Sequence, residues 1–412
     1  MRLGLVVPRY GPEVVGGTEH WLRLLCEHLV ADRGWEVEVF TTGALSAATW
    51  ADELRPGTTE VGGVTVHRFR SRSGRDPRSA LVRALVTPAP SLVPGALARR
   101  LVELAGPVCP EVLDAAEAST CDPVAVTPYL YWPAVVGAPR LGRRVVFHGA
   151  AHDEPELHLP LMAAVYGAVG GFAFNSFAEQ ALVERCFRVA ERPAAVIGNA
   201  VVEGAGDPAE ARAALGLSPG EPFVLSLGKV ERAKGSHALA ELWRAYRARR
   251  PGAPRLVLVG PVHDELAGDA DVVVAGRRPE DVKWGALRAA AMVVVPSAWE
   301  SFSLVVLEAW LAGAPVVVNR RCEATVEHCV RSGGGLWFEE YADFEALADR
   351  LLGDPALRAR LAAAGRAYTE RTFSWPAVLD RYETLTERIL RSRRGAPAAA
   401  VRGSARTGAA AS

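Results

Sequence analysis

The sequence predicts a doubly wound α/β protein built as two domains. Three observations carry this. The chain has 412 residues, about twice what one hydrophobic core serves. Short β-rich apolar runs alternate with helical patterns from end to end. Near the middle lies a stretch of small and turn residues that no single core would tolerate.

Taken in order, "RLGLVV" (2–7), "WEVEVFTT" (35–42), "RRVVFHG" (143–149) and "FVLSLG" (223–228) read as strands. So do "RLVLVG" (255–260), "DVVVAG" (271–276), "MVVVPS" (292–297) and "PVVVN" (315–319). They are near-continuous apolar runs, as parallel strands covered on both faces require. Between the first two, Leu22, Leu25, Cys26 and Leu29 share one face of a helix expected from Thr18 to Asp32, with Gly34 as its stop. The stretch "GNAVVEGAGDPAEARAALGLSPGEP" precedes a fresh strand and marks the boundary. The expected division is 1–200, 201–375, a final helix over 376–392 from "FSWPAVLDRYETLTERILRSRR", and a disordered tail over 393–412 that offers no core residues.

Composition narrows the function classes. Half of the residues are apolar, 23% are charged and the formal net charge is zero, so the whole molecule is not a polyanion binder. Six Cys form no CxxC pair, which suits a reducing compartment. The first apolar run is too short for a signal peptide and no uncharged run approaches a membrane span, so a cytoplasmic protein is expected. Heavy use of Ala, Arg, Gly and Pro is what a GC-rich bacterial genome produces. Between 68 and 100, eight Arg oppose one Asp, an excess of seven positive charges in 33 residues. That segment reads as a solvated loop or as a patch for an anionic acceptor or the inner membrane face. It lacks regular aromatic interleaving, so nucleic acid is not expected as a partner.

The charged residues that stand out are lysines. Of 47 Lys and Arg, three are Lys: Lys229, Lys234 and Lys283. Lys229 and Lys234 flank the end of a predicted strand and the start of a predicted helix. In open α/β sheets ligands collect at that edge, where helix N-termini favour anions. Two ammonium groups there can both reach a diphosphate. A second stretch, "PSAWESFSLVVLEAWLAGAPVVV" (296–318), places Glu300 in the loop after a strand and Glu308 one turn into a helix capped by Ser301 or Ser303. The amides of Phe302, Ser303 and Leu304 then point at an anion, and each carboxylate can accept hydrogen bonds from a vicinal diol. The layout is diol, phosphate, diol.

Glu300-x7-Glu308 followed by "EAWLAGAPVVV" resembles the E-x7-E signature of retaining glycosyltransferases of family 4, the glycosyl transferases group 1, with the GT-B fold. "GKVERAKG" is similar to that family's diphosphate loop, "VVGGTEHWLRLLCEHL" to its N-terminal Gly-Gly loop, and "FHGAAHDEPEL" and "FAFNSFAEQALV" to further N-terminal segments. The resemblance implies two Rossmann-like domains facing a central cleft and a nucleoside-diphosphate sugar as co-substrate, with no other cofactor and no metal. It implies that Lys229 and Lys234 hold the donor diphosphate and Glu308 the ribose. Glu300 would meet the donor sugar, helped by the amides at 302–304. Gly16 and Gly17 would let the backbone approach the donor, and His152, with His148 as its rival, would lie by the transferring sugar. The final helix would cross back to the N-terminal domain. Three departures mark a divergent branch: Lys229 stands where Arg is usual, Ser303 where Gly is usual, and "IGNAV" replaces P-N-G.

Other signals point elsewhere and are weak. "DAD" (269–271) precedes a strand and reads as a turn. No G-x-G-x-x-G follows the first strand and no G-x-S-x-G occurs. The alternatives are a sugar-nucleotide epimerase or hydrolase on the same fold, and a catalytically silent sugar-nucleotide-binding partner protein. Base, sugar, acceptor and oligomeric state stay open.

Overall fold

A computed structural model describes residues 1–14 and 16–394; residues 395–412, most of the expected tail, lie outside them. Two sheets organise the chain. The first holds β1 (Arg2–Val6), β2 (Glu36–Thr42), β3 (Gly57–Val61), β4 (Val64–Phe69), β5 (Val124–Val126), β6 (Val145–Phe147), β7 (Gly171–Phe174) and β8 (Ala194–Val196). The second holds β9 (Phe223–Leu227), β10 (Arg255–Val259), β11 (Val272–Gly276), β12 (Met292–Val295), β13 (Val316–Asn319) and β14 (Gly335–Phe338).

Strand order in the first sheet is β3-β4-β2-β1-β5-β6-β7-β8, parallel except for the β3–β4 hairpin. In the second it is β11-β10-β9-β12-β13-β14, all parallel. Each order reverses direction once, between β1 and β5 and between β9 and β12. At such a switch point the loops leave toward opposite faces of the sheet and open a crevice.

Alternate residues of each strand enter different cores, as a sheet covered on both faces requires. Leu225, Val257, Val293 and Val316 pack on one side of the second sheet; Val224, Leu256, Met292 and Val317 pack on the other. The expected first helix runs Gly17–Arg33, buries Leu22, Leu25, Cys26 and Leu29, and stops at Gly34 with φ 63°. The helix Pro355–Phe373 buries Leu357, Leu361 and Phe373 against the second sheet's cores. The next helix, Trp375–Arg394, puts Val378, Leu379, Tyr382 and Ile389 into the core of the first. The chain thus recrosses between the halves at Ser374.

The Arg-rich segment is not a loop. Residues Arg78–Val86 and Gly95–Ala105 are helices. Four of its eight arginines meet neighbouring carboxylates: Arg72 with Glu111 at 2.7 Å, Arg78 with Asp76 at 2.7 Å, Arg100 with Glu103 at 3.1 Å, and Arg83 with Glu156. Arg68 is buried, donating to Thr59 Oγ1 and the Tyr10 carbonyl. Among the described residues no helix is long and apolar enough to cross a membrane.

Candidate functional site

The loops after β9 and β12 leave the second sheet side by side at its switch point. After β9 the chain passes Gly228 and Lys229, makes a short 3-10 turn at Arg232–Lys234, and enters the helix Ser236–Arg249 through Gly235. Gly235 has φ 78°, and a Cβ there would stand 2.7 Å from the Pro296 carbonyl oxygen at the end of β12. Only glycine lets the two loops approach so closely. Buried Ser236 fastens the turn: its hydroxyl donates to the Lys229 carbonyl at 3.2 Å and accepts the Glu231 N–H at 3.1 Å.

After β12, Ser297 accepts the Trp299 N–H at 3.3 Å and the chain turns through Glu300–Ser303 into the helix Leu304–Leu311. Phe302 is buried edge-to-face on His328 and Phe373, which turns its backbone toward the crevice. Ser303 occupies the N-cap position, yet its side chain makes no capping bond, and Ser301 instead accepts from Asn175 Nδ2 of the first domain at 3.3 Å. The expected hydroxyl cap is therefore absent. The reason is the backbone: Ser303 has φ 72°, the left-handed conformation that a Gly would adopt without cost, and that swings its hydroxyl away from the first-turn N–H groups.

Lys229, Lys234, Glu300, Phe302, Ser303 and Leu304 line one cavity of about 290 Å³, with Gly17 and Thr18 from the first domain on its far side. Lys234 Nζ rests 2.9 Å from Glu300 Oε1. A smaller cavity of about 210 Å³ shares Glu300 and Ser301 and adds His152. Burial lowers the pKa of His152, the Lys234 charge adds to this and Glu300 opposes it, which places all three within electrostatic reach. Of the expected residues, then, eight surround two adjoining cavities.

Two do not. Gly16 has φ 170°, ordinary extended backbone; a Cβ there would collide with the Glu19 carboxylate, which Arg9 holds. Its smallness therefore accommodates an ion pair, whereas Gly17 faces open space. Glu308 lies one turn into its helix, as expected, but its carboxylate meets Lys283 at 3.0 Å. Burial pulls the Lys283 ammonium down, yet Glu308 and Glu280 outweigh it and hold its pKa above the ordinary value. All three lysines of the chain thus sit at or beside this edge. His148, the rival of His152, is buried between Trp21 and Tyr382, with Nε2 3.1 Å from the Tyr382 hydroxyl. Desolvation lowers its pKa to about 3.

One buried carboxylate escaped the sequence reading. Glu179, in the helix Phe177–Cys186, accepts the backbone N–H of Ala151 at 2.8 Å and of Asn175 at 2.7 Å. Burial raises its pKa to about 7 against those hydrogen bonds. It ties the loop after β6, which carries His152, to the loop after β7. Ser176-x-x-Glu179 is a helix-start pattern that could have marked it; Ser176 Oγ accepts the Glu179 N–H at 3.1 Å. Across the domain boundary Glu327 accepts the Ala178 N–H at 2.7 Å. The "DAD" residues are turn residues: Asp269 accepts the N–H groups of Asp271 and Val272 and pairs with Arg244 at 2.6 Å. Among the described residues no group of three or more His, Cys, Asp or Glu is placed to hold a metal ion.

Residues 207–368 match the family described as glycosyl transferases group 1. The D-inositol 3-phosphate glycosyltransferase of Segniliparus rotundus is 36% identical over 48% of this chain and 47% of its own length. That of Frankia alni is 36% identical over 42% and 46%. The chain spans about half the length of these curated relatives. Sucrose-phosphate synthase from Thermosynechococcus elongatus has a similar structure, with a TM-score of 0.69, 22% identity, and coverage of 95% of this chain and 99% of that one. Anabaena HepE in complex with UDP-glucose gives 0.64, 18%, 96% and 99%. The described chain therefore has the GT-B fold, and its residues 207–368 match the glycosyl transferases group 1 family.

Proposed function

We propose that the protein is a retaining glycosyltransferase, moving a sugar from a nucleoside-diphosphate donor to an acceptor hydroxyl with the anomeric configuration kept. The observation that carries this reading is the single cavity at the β9/β12 switch point. Two lysines, the amide-bearing turn at 302–304 and one carboxylate surround it. Such a wall suits a diphosphate whose far oxygen carries a sugar.

In the donor-free protein Lys234 is paired with Glu300. A donor diphosphate competes for that ammonium and releases the Glu300 carboxylate to accept hydrogen bonds from the sugar hydroxyls. Glu308, steadied by Lys283, is one helical turn further along, where the ribose diol would lie. As the bond from the anomeric carbon to the phosphate oxygen breaks, its electron pair goes to the diphosphate. Lys229, Lys234 and the turn amides stabilise that charge, each such donor being worth roughly 3 to 4 kcal/mol in a water-poor site. The acceptor oxygen forms the new bond on the same face, and its proton passes to the leaving phosphate. The low pKa of His152 leaves a neutral ring beside the developing positive charge of the sugar.

The names of the similar proteins, inositol-phosphate glycosyltransferases by sequence and a UDP-glucose complex by structure, put uridine donors first in a test. A thermal-shift panel of UDP-, GDP-, ADP- and dTDP-sugars should single out one base, with about 2.7 kcal/mol of stabilisation at 100 times its dissociation constant. Proton NMR of the product should then show the donor's anomeric configuration. An inverted product would refute retention. Full-rate turnover of the donor without acceptor would assign an epimerase or hydrolase instead, and binding without turnover a silent sugar-nucleotide-binding protein.

A further inference from the structure

A third cavity, of about 550 Å³, lies wholly within the first domain, and none of the residues assigned above lines it. One wall is formed by the helices Arg78–Val86 and Gly95–Ala105, the other by the loops after β5 and β6. Its size is that of a small-molecule site. Its apolar lining includes Leu101, Val102, Leu130, Leu159 and Met162, and four of these are at most 5% exposed.

Most polar groups at its edge are already engaged; the exception is exposed Arg75, which donates to the Ala47 carbonyl and lies over the Trp50 indole with no carboxylate partner among the described residues. Arg83 is held by Glu156, with Glu154 at 3.8 Å; Asp76 is held by Arg78; Glu154 accepts the Tyr129 hydroxyl at 2.7 Å. Away from Arg75, an anionic ligand would have to break those pairs. An apolar one gains by covering half-buried Leu130 and exposed Pro77 and Ala80, which stand over the buried Leu101, Leu159 and Met162.

Position links the cavity to the cleft. Glu154 lines it, and two residues earlier His152 lines the cavity shared with Glu300. The Glu154 N–H donates to the His152 carbonyl at 2.8 Å, closing a tight turn between the two walls. Two residues of chain span at most about 7 Å. On the opposite side Tyr131 stands edge-on to Trp50, with ring centroids 4.9 Å apart, and Arg9, the partner of Glu19 beside Gly16, lies over the same indole. The cavity therefore borders the turn that bears His152, and the contacts Tyr131–Trp50, Trp50–Arg9 and Arg9–Glu19 connect its wall to the loop that bears the Gly pair.

We propose that this cavity is the acceptor pocket and that the acceptor is amphiphilic: an uncharged apolar body fills it, and a hydroxyl-bearing end emerges at the His152–Glu154 turn. The inference rests on the glycosyl-transfer reading and specifies the chemistry of its second substrate.

Isothermal titration of the full chain with n-alkyl β-D-glucosides, methyl to octyl and below their micellar concentrations, tests it. Affinity should rise about fourfold per methylene over the first few carbons. Ala80→Trp, at the exposed mouth, should abolish this dependence while leaving the thermal shift from the best nucleoside diphosphate intact, which also shows that the variant is folded. Leu130→Ser should weaken octyl glucoside at least threefold. The nucleoside diphosphate and octyl glucoside should bind together. Affinity independent of chain length, a dependence that survives Ala80→Trp, or displacement of octyl glucoside by the nucleoside diphosphate would each overturn the proposal. If no nucleoside diphosphate stabilises the protein while the chain-length dependence persists, the glycosyl-transfer reading fails and the acceptor role with it, although the apolar site stands.

Discussion

The two halves build their sides of the cleft from different materials. The C-terminal half brings side-chain charge: three lysines and two glutamates at one sheet edge, with Lys234 on Glu300 and Lys283 on Glu308. The N-terminal half contains no lysine at all. It contributes a bare backbone at Gly17, a partly buried His152 and, behind it, the buried Glu179 that holds the His152 loop. One side grips charge, and the other shapes space. Arg, with its planar fork, makes most of the ion pairs of the rest of the molecule, among them the largely buried Arg9–Glu19 pair, whereas the compact ammonium groups are concentrated at this one sheet edge.

That contrast can be broken by substitution. The largest effect is expected from Lys229→Ala with Lys234→Ala. Removing both cations should lower turnover about a thousandfold or more, and a loss below tenfold in steady-state assays would end the claim that the C-terminal half supplies the charge. Glu179→Ala tests the other side. Unfastening Ala151 and Asn175 should reduce kcat about 10- to 100-fold, with the nucleoside-diphosphate dissociation constant within twofold of the parent. An equal change in both would mean that Glu179 serves the fold and not the placement of His152. Gly235→Ala should cost about 2 kcal/mol of stability by urea unfolding, since it combines a left-handed φ with a Cβ pressed on the Pro296 carbonyl.

Each half also buries one neutral histidine on a tyrosine hydroxyl: His148 on Tyr382 at 3.1 Å and His328 on Tyr368 at 3.2 Å. Burial holds their pKa values near 3 and 4. The unfolded chain titrates near 6.5. Between those values the unfolded state binds more protons, so stability is full above about pH 6.5 and falls as pH drops toward 4. Chemical denaturation at pH 7 and pH 5 should show the loss, and the double variant His148→Gln, His328→Gln should flatten it. The smallest effect is expected at Ser303. Ser303→Gly should relieve its φ of 72° and raise stability by up to about 1 kcal/mol; a clear loss would mean that the hydroxyl makes a contact that outweighs the strain.

The same contrast explains what could be read from the sequence. The charged edge is compact in sequence: Lys229 and Lys234 lie within one loop, and Glu300 and Glu308 within one loop and helix. Their spacing is visible without a fold. The shaped side is assembled by topology from the loops after β1, β5, β6 and β7, which are far apart in sequence. Glu179 and the large cavity were therefore missed. Strands β5 and β8 have three residues each, too short for a periodic signal, and β3 is an exposed edge strand with no apolar run. Lys283 was noticed only as the third lysine, because its partner Glu308 is 25 residues away on another helix. Ser303 stands where glycine is usual in the family it resembles, and the backbone adopts the left-handed conformation there all the same.

Calorimetric binding of the best-stabilising nucleoside diphosphate to the parent and to the Lys229→Gln, Lys234→Gln double variant addresses the central claim most directly. The account predicts at least a hundredfold weaker binding in the double variant, with the fold intact by circular dichroism. Affinity within threefold of the parent would contradict it.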